Sequence, residues 1–284
     1  GTGPPRPDAP AVIASLTHPG PAPACRWATR PCHATPVDLI LPVAETLAQS
    51  VALALAGFDG GWLEIENAAL GTLEFVIPGP DPTGAHAAWY AGPYRMGAGH
   101  IRHLGLHAGR KQGAPWLHGH GTFDAPGWDG PRMGHILPLE SRLSRPTPAR
   151  GWAIRGARLD VVEDPETRFP LFQPVATGPA GPAALVTLRP NQDITGSLEA
   201  LAASIGLGDA RVLGLGSLVH PRLIGQPPID SFATEILLTE GTITNGKASL
   251  SARIVTLDGT LHEGPLQPGA NGICITAELL LLPA

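Results

Sequence analysis

The sequence predicts an α+β protein built as two tandem units, each a mostly antiparallel sheet with one main helix. Three observations predict it. First, 36 glycines and 32 prolines in 284 residues favour many short elements joined by turns over long helices. Second, one pattern occurs twice. Residues 39–73, "LILPVAETLAQSVALALAGFDGGWLEIENAALGTL", and residues 185–218, "LVTLRPNQDITGSLEALAASIGLGDARVLGLGSL", each run from an apolar strand through a proline-containing turn into a helical stretch and a second strand. Third, strand-like runs with glycine-marked turns follow both segments, 101–123 after the first and 234–254 after the second. Runs of strands with one early helix make an α+β unit with a mostly antiparallel sheet.

The elements follow in order. Residues 1–35 read as an arm with little structure of its own. The first unit, 36–165, places a helix on Leu47, Val51, Ala54 and Leu55, whose spacing gives one apolar face, ending near Gly57. "ARLDVVE" (157–163) reads as its closing strand. Residues 166–183 are a Pro/Gly/Ala-rich linker. The second unit, 184–284, repeats the helix on Leu198, Leu201, Ala202 and Ile205, ends it near Gly206 and closes on "ITAELLL" (275–281). Glycine just past each helix suits the left-handed cap that ends many helices.

Charge and composition exclude several classes. The chain carries −5 at pH 7 with an isoelectric point near 6.1, and its lysines and arginines form no basic stripe, so duplex DNA is not an expected partner. Cys25, Cys32 and Cys274 are an odd set at unrelated spacings, which predicts free thiols rather than a disulfide framework. The opening "GTGPPRPDAP" has no apolar leader core, and no stretch reaches the ~18 apolar residues of a membrane span; the expectation is a cytoplasmic protein without a membrane partner.

The chemistry concentrates in "WLHGHGTFDAPGWDGPRMGHIL" (116–137). Seven of the eleven histidines lie within 86–135, and three, His118, His120 and His135, lie in this block. Residues two apart on a strand share a face, so His118 and His120 project together while Gly119 faces away. The Gly/Pro/Asp loop returns the chain so that His135 can complete a triangle. Two readings stay open, a metal site or a polar sheet edge. Three imidazoles would leave one position of a tetrahedral zinc site free, as in catalytic centres, and a water there becomes a nucleophile near neutral pH. Zinc, or another divalent transition metal, is the expected cofactor.

Other candidates surround the block. Glu140 is a candidate acid/base across the metal, and His103 a candidate base or fourth ligand, with His107 on the same predicted face; for each, the plainer reading as an ordinary strand or strand-end residue is the favoured one. Asp124 and Asp129 shape the turn between ligands. Trp89, Tyr90 and Arg95, in "HAAWYAGPYR", form a candidate substrate-binding wall, and Arg95, Arg102 and Arg132 would suit a carboxylate through bidentate hydrogen bonds. At the positions taken to match the three histidines, the second unit offers Ser249, Ser251 and Pro265, so no metal is expected there.

The helix followed by "ALGTL" or "GLGSL", the strand "RHLGLHAG" and the histidine block together resemble the PPC (plants and prokaryotes conserved) domain family. "HPGP" (18–21) and "DPETRF" (164–169) resemble segments that flank the domain in bacterial members. The resemblance covers roughly 37–163 and 184–283. It implies a homotrimer and a zinc-type site at the three histidines. Plant members add an Arg-Gly-Arg-Pro element that binds the minor groove; no such element occurs in this sequence, so the family's DNA-binding label loses its chemical basis. The functional expectation is a zinc protein that binds a small polar or carboxylated molecule; if it is an enzyme, the reaction is metal-assisted hydrolysis or lyase chemistry. The alternatives are a DNA-associated regulator and a non-catalytic metal-binding assembly protein.

Overall fold

The computed structural model describes residues 13–284. The first twelve residues of the expected arm lie outside the described residues. The first half runs β1 (Trp27–Leu41), α1 (Leu47–Ala54), β2 (Gly60–Gly79), β3 (Trp89–Gly97), β4 (His100–Lys111), β5 (Ala114–Asp124), β6 (Met133–Ile136), β7 (Arg142–Leu143), β8 (Thr147–Arg155), β9 (Ala157–Glu163) and β10 (Pro170–Ala176). The second runs β11 (Ala183–Leu188), α2 (Ile194–Ser204), β12 (Ala210–Val219), β13 (Glu235–Thr244), β14 (Lys247–Val255), β15 (Leu261–Pro265) and β16 (Gly272–Pro283).

The expected α+β class is corrected to a mainly β architecture. The strands join one 16-stranded sheet, while the helices have only 8 and 11 residues. The two helices are where the periodicity places them, each fixed at its start by a side-chain cap: Thr46 accepts from the Gln49 amide at 3.1 Å and Asp193 from the Gly196 amide at 2.7 Å, satisfying donors that a first helical turn leaves free. The excess of strand comes from Pro-rich segments. Residues 27–35, read as arm, are the first part of β1, and the segment read as linker contains β10 paired along its length with β9. Proline removes one donor and fits where that donor has no ladder partner, so Pro31, Pro36, Pro170 and Pro174 sit inside strands.

The strand order beside the centre is the same in both halves, and β2 pairs with β4 as β12 does with β13. The sheet runs β10-β9-β4-β5-β6-β2-β8-β1-β11-β16-β12-β13-β14-β15, with β1 and β11 antiparallel at its middle. On one side β8 separates β1 from β2; on the other β16 separates β11 from β12. The closing strand corresponding to β16 is therefore β8, not β9 at 157–163. β9 instead pairs with β10 and touches β4 at a parallel bridge, Arg110 to Asp160.

Both hairpins that follow turn on a two-residue loop with left-handed backbone, Gln112-Gly113 (φ 52° and 82°) and Asn245-Gly246 (φ 51° and 74°), the geometry that matches strand twist. Counting five and seven residues past the turn glycine gives His118 and His120 in β5, and Ser251 and Arg253 in β14. Across the next pairing His120 faces His135 and Arg253 faces Glu263. The counterparts of the three histidines are thus Ser251, Arg253 and Glu263, not Ser249, Ser251 and Pro265; the glycine turns fix register where pattern matching slips. Arg253 Nε donates to Glu263 at 3.0 Å, so an ion pair occupies the place of two imidazoles.

One core spans both halves: Trp62, Leu63, Phe75, Ile101 and Leu106 pack with Leu213, Leu215, Leu237 and Leu280. The close approach depends on Gly105 in β4. A Cβ there would lie 2.6 Å from Leu237 Cδ1 and 2.8 Å from Trp62 Cζ2. Gly105→Ala is therefore expected to destabilise the protein by about 1–3 kcal/mol, the usual cost of overpacking, and urea unfolding would read it as a lower midpoint; an unchanged midpoint would mean this seam is loose. "HPGP" and "DPETRF" meet in a clamp: the Gly20 amide donates to the Glu166 carbonyl at 2.9 Å, and Arg26 holds the Glu166 carboxylate at 2.7 and 2.9 Å. No helix among the described residues is long and apolar enough to cross a membrane. All three cysteines are free thiols.

Candidate metal centre

The β4–β5 register sets His107 opposite His118 and Gly105 opposite His120, and β6 brings His135 opposite His120. Gly119, between the two strand histidines, faces the core; a Cβ there would contact Leu106 and Ile136. The three rings converge. Their centroids are 4.7–5.4 Å apart, and one ligand nitrogen from each lies within 4.8 Å of the others.

Hydrogen bonds from the second half orient two of the rings. His118 Nδ1 lies 2.6 Å from Glu278 Oε2, and His120 Nδ1 lies 2.8 Å from the Ile236 carbonyl, which can only accept. With each Nδ1 turned to an acceptor, the Nε2 atoms face each other at 3.1 Å. Two lone pairs at that distance repel unless a cation or a proton sits between them. Nitrogens bound to one tetrahedral ion at 2.0–2.1 Å are separated by roughly 3.3 Å, so the spacing fits a shared divalent metal. A carboxylate or carbonyl behind each ligand histidine is the usual support of a metal site.

The electrostatics agree. Burial, followed by the neighbouring histidines, holds His120 and His135 well below the usual imidazole range, so both present neutral lone pairs at pH 7. Glu235 Oε2 is 3.1 Å from His120 Nε2, and burial together with Glu278 pushes its carboxyl well above the ordinary range. Tyr90 shifts up for the same reasons, burial first and then the two carboxylates. Two buried carboxylates and three imidazoles suit a cation better than their own company.

Beside the histidines lies a cavity of about 290 Å³. His118 and His135 line one part of it, Trp89, Tyr90, Phe169 and Phe172 the apolar walls, and Glu235 and Glu278 also border it.

Of the sequence candidates, His118, His120 and His135 come together, and Trp89 and Tyr90 stand in the cavity wall. The others lie elsewhere. Glu140 is exposed on the turn after β6 and does not line the cavity. His103 Nδ1 meets Arg253 at 3.0 Å, at the second half's ion pair. His107 is fully buried, 3.0 Å from the Glu278 carbonyl and edge-on to Trp62. Arg95 pairs with Glu74 and Arg102 with Asp124, while Arg132 lies 3.4 Å from the Trp128 carbonyl; none of the three lines the cavity. Asp129 is exposed in the loop.

Sequence reasoning missed Glu235 and Glu278. A signal existed. Each is a lone carboxylate in an apolar strand, "TEILL" and "TAELLLL", and a buried acid is rarely left without a partner.

The metal-free protein should lose stability in mild acid. Burial lowers His107 to about 4 against an ordinary 6.5, and His120 and His135 shift the same way. Between those values the unfolded chain binds more protons, so the stabilisation is full above 6.5 and declines as pH falls toward 4. Each histidine contributes up to ~1.4 kcal/mol per pH unit. Urea unfolding of chelator-treated protein at neutral and mildly acid pH measures the slope; a flat profile would contradict neutral buried imidazoles.

No family model and no curated protein matches this chain. Similar solved structures include a PPC protein of Pyrococcus horikoshii (14% identity, 51% of this chain and 96% of that one, TM-score 0.36). A metal-containing protein of Archaeoglobus fulgidus is similar at 18% identity over 49% of this chain and 92% of that one, TM-score 0.35. A Ralstonia eutropha protein named for suspected DNA binding is similar at 15% identity over 50% of this chain and 94% of that one, TM-score 0.33. A PPC protein is thus among the structures that this mainly β chain with a three-histidine centre resembles.

Proposed function

We propose that this protein holds zinc, or another divalent transition metal, at His118, His120 and His135, and binds and transforms a small molecule there by metal-assisted hydrolysis or lyase chemistry. One observation supports this above the rest: three imidazoles converge at the edge of a partly open cavity rather than in a sealed core. Three protein nitrogens leave a coordination position for water or substrate, which is how catalytic sites differ from structural ones. A bound divalent ion supplies Lewis acidity and a water of lowered pKa. The protein's own groups supply the rest. Glu278 and the Ile236 carbonyl keep the imidazoles aimed, Glu235 lies beside His120 to accept or return a proton, and the aromatic walls exclude bulk water.

Elemental analysis of purified protein tests the reading, with one metal per chain expected. Chelation should abolish turnover but leave the fold intact, whereas a purely structural site would lose much of its thermal stability. Protein purified without metal, and unable to take it up, would defeat the proposal. Self-association as a trimer belongs to the same reading and is read by light scattering. A DNA-associated regulator would instead bind duplex with a steep salt dependence; negligible affinity at low salt is expected from a chain of net charge −5.

A further inference from the structure

We propose that the cavity beside the histidines selects a neutral, ring-bearing molecule with an N–H or O–H donor, and turns away carboxylates and phosphates. The inference rests on the reading of that cavity as the ligand site and names its substrate class.

The walls set the body of the ligand. Trp89, Tyr90, Trp116, Phe169 and Phe172 line the space, with Trp89 and Phe169 centroids 4.9 Å apart and Tyr90 5.4 Å from His135. Such faces and edges favour a flat apolar group over a chain of hydroxyls. At about 290 Å³ the cavity sits at the small end of ligand pockets, which run roughly 300–1,000 Å³; one ring with a short substituent suits it.

The charge of the lining sets the head group. Among the described residues no lysine or arginine lines the cavity, whereas Glu235 and Glu278 both do. A further anion would be buried against two carboxylates without a cationic side chain, and an unpaired buried charge is costly. A divalent ion at the histidines does not supply that missing cationic side chain, because Glu278 at His118 and Glu235 at His120 already stand against it. The arginines once expected to clamp a carboxylate are engaged elsewhere, Arg95 with Glu74 and Arg102 with Asp124.

The third observation asks for a donor. Glu278 is 1% exposed, and while its Oε2 meets His118, its Oε1 is buried without a hydrogen-bond partner among the described residues. A carboxyl oxygen in that position is an acceptor, and leaving a buried acceptor unmet costs more than a typical hydrogen bond returns. An amide or amine N–H, or a hydroxyl, answers that atom; a carboxylate ligand cannot.

Benzamide and benzoate separate the possibilities, being nearly isosteric, one neutral with two N–H donors and the other anionic. Binding to the full-length, as-purified protein is followed by tryptophan fluorescence, since Trp89 and Trp116 stand in the wall. Benzamide should saturate at a concentration roughly tenfold or more below benzoate. Trp89→Leu, at a half-exposed position, should weaken benzamide by at least about threefold, the scale of one aromatic contact. Equal or tighter binding of benzoate, or no saturable binding of either probe, overturns the inference. Metal content measured on the same samples keeps the two readings apart. Metal-loaded protein that prefers benzoate defeats the substrate class alone; metal-free protein that still prefers benzamide defeats only the catalytic centre.

Discussion

Replacing His120 with alanine is expected to strip the centre of metal, with affinity falling at least hundredfold. His120 is the hub of the site. It is fully buried, and its Nε2 lies 3.1 Å from both His118 Nε2 and Glu235 Oε2. Structural zinc sites are worth roughly 10–16 kcal/mol over four ligands, so one ligand accounts for about 2.5–4 kcal/mol, or roughly two to three decades in affinity. The fold should survive, because β5 and β6 are held by their ladder and by the core beneath Gly119. What His120→Ala leaves behind in the metal-free state is the Ile236 carbonyl without its donor, worth about 1–3 kcal/mol. Competition against a chelator of known affinity gives the first quantity and urea unfolding the second. Undiminished metal retention in the variant would place the ion, if any, elsewhere.

The site was more legible in the sequence than the fold around it. His118 and His120 could be put on one strand face because side-chain alternation is local, and His135 could be added because a Gly/Pro loop of that length turns back. The helices were legible for the same reason, a period carried by Leu47, Val51 and Leu55 or by Leu198 and Leu201. Strand content was not. Pro31, Pro36, Pro170 and Pro174 argue locally against strands, yet β1 and β10 are paired along their lengths, because partners far along the chain supply what local preference withholds. The second-unit counterparts slipped by two residues at the strand positions because both registers keep the apolar face inward; only the glycine turns distinguish them. Glu235 and Glu278 escaped notice because they are some 115 to 160 residues from the histidines they touch, Ile236 bonding His120 across 116 positions and Glu278 bonding His118 across 160. No local pattern reports such a distance. The lone acids in apolar strands reported burial and nothing about the partner.

Glu278→Gln should move metal affinity and bare-protein stability in opposite directions. In the loaded site Glu278 fixes the ring of His118 through the 2.6 Å contact to Nδ1 and makes that imidazole a stronger donor. Removing the charge behind a ligand histidine usually costs 10–100-fold in metal affinity. In the metal-free site the same charge is a burden, because Glu278 faces Glu235 in a buried setting and helps burial push the Glu235 carboxyl upward. The sign follows from linkage. A carboxyl whose folded value is raised holds its proton where the unfolded chain has released it, so it costs stability as pH rises above 4.5 toward the folded value. Glutamine removes the repulsion from that cost while its carbonyl still accepts from His118. The variant, chelator-treated, should therefore melt higher than the chelator-treated parent at neutral pH, and the gain should shrink in acid, where Glu235 is protonated in both folded and unfolded chains. Thermal melts with and without chelator, together with the metal competition, read both effects. A variant that is less stable without metal and binds it as well as the parent would mean that Glu278 serves packing between the halves rather than the cation.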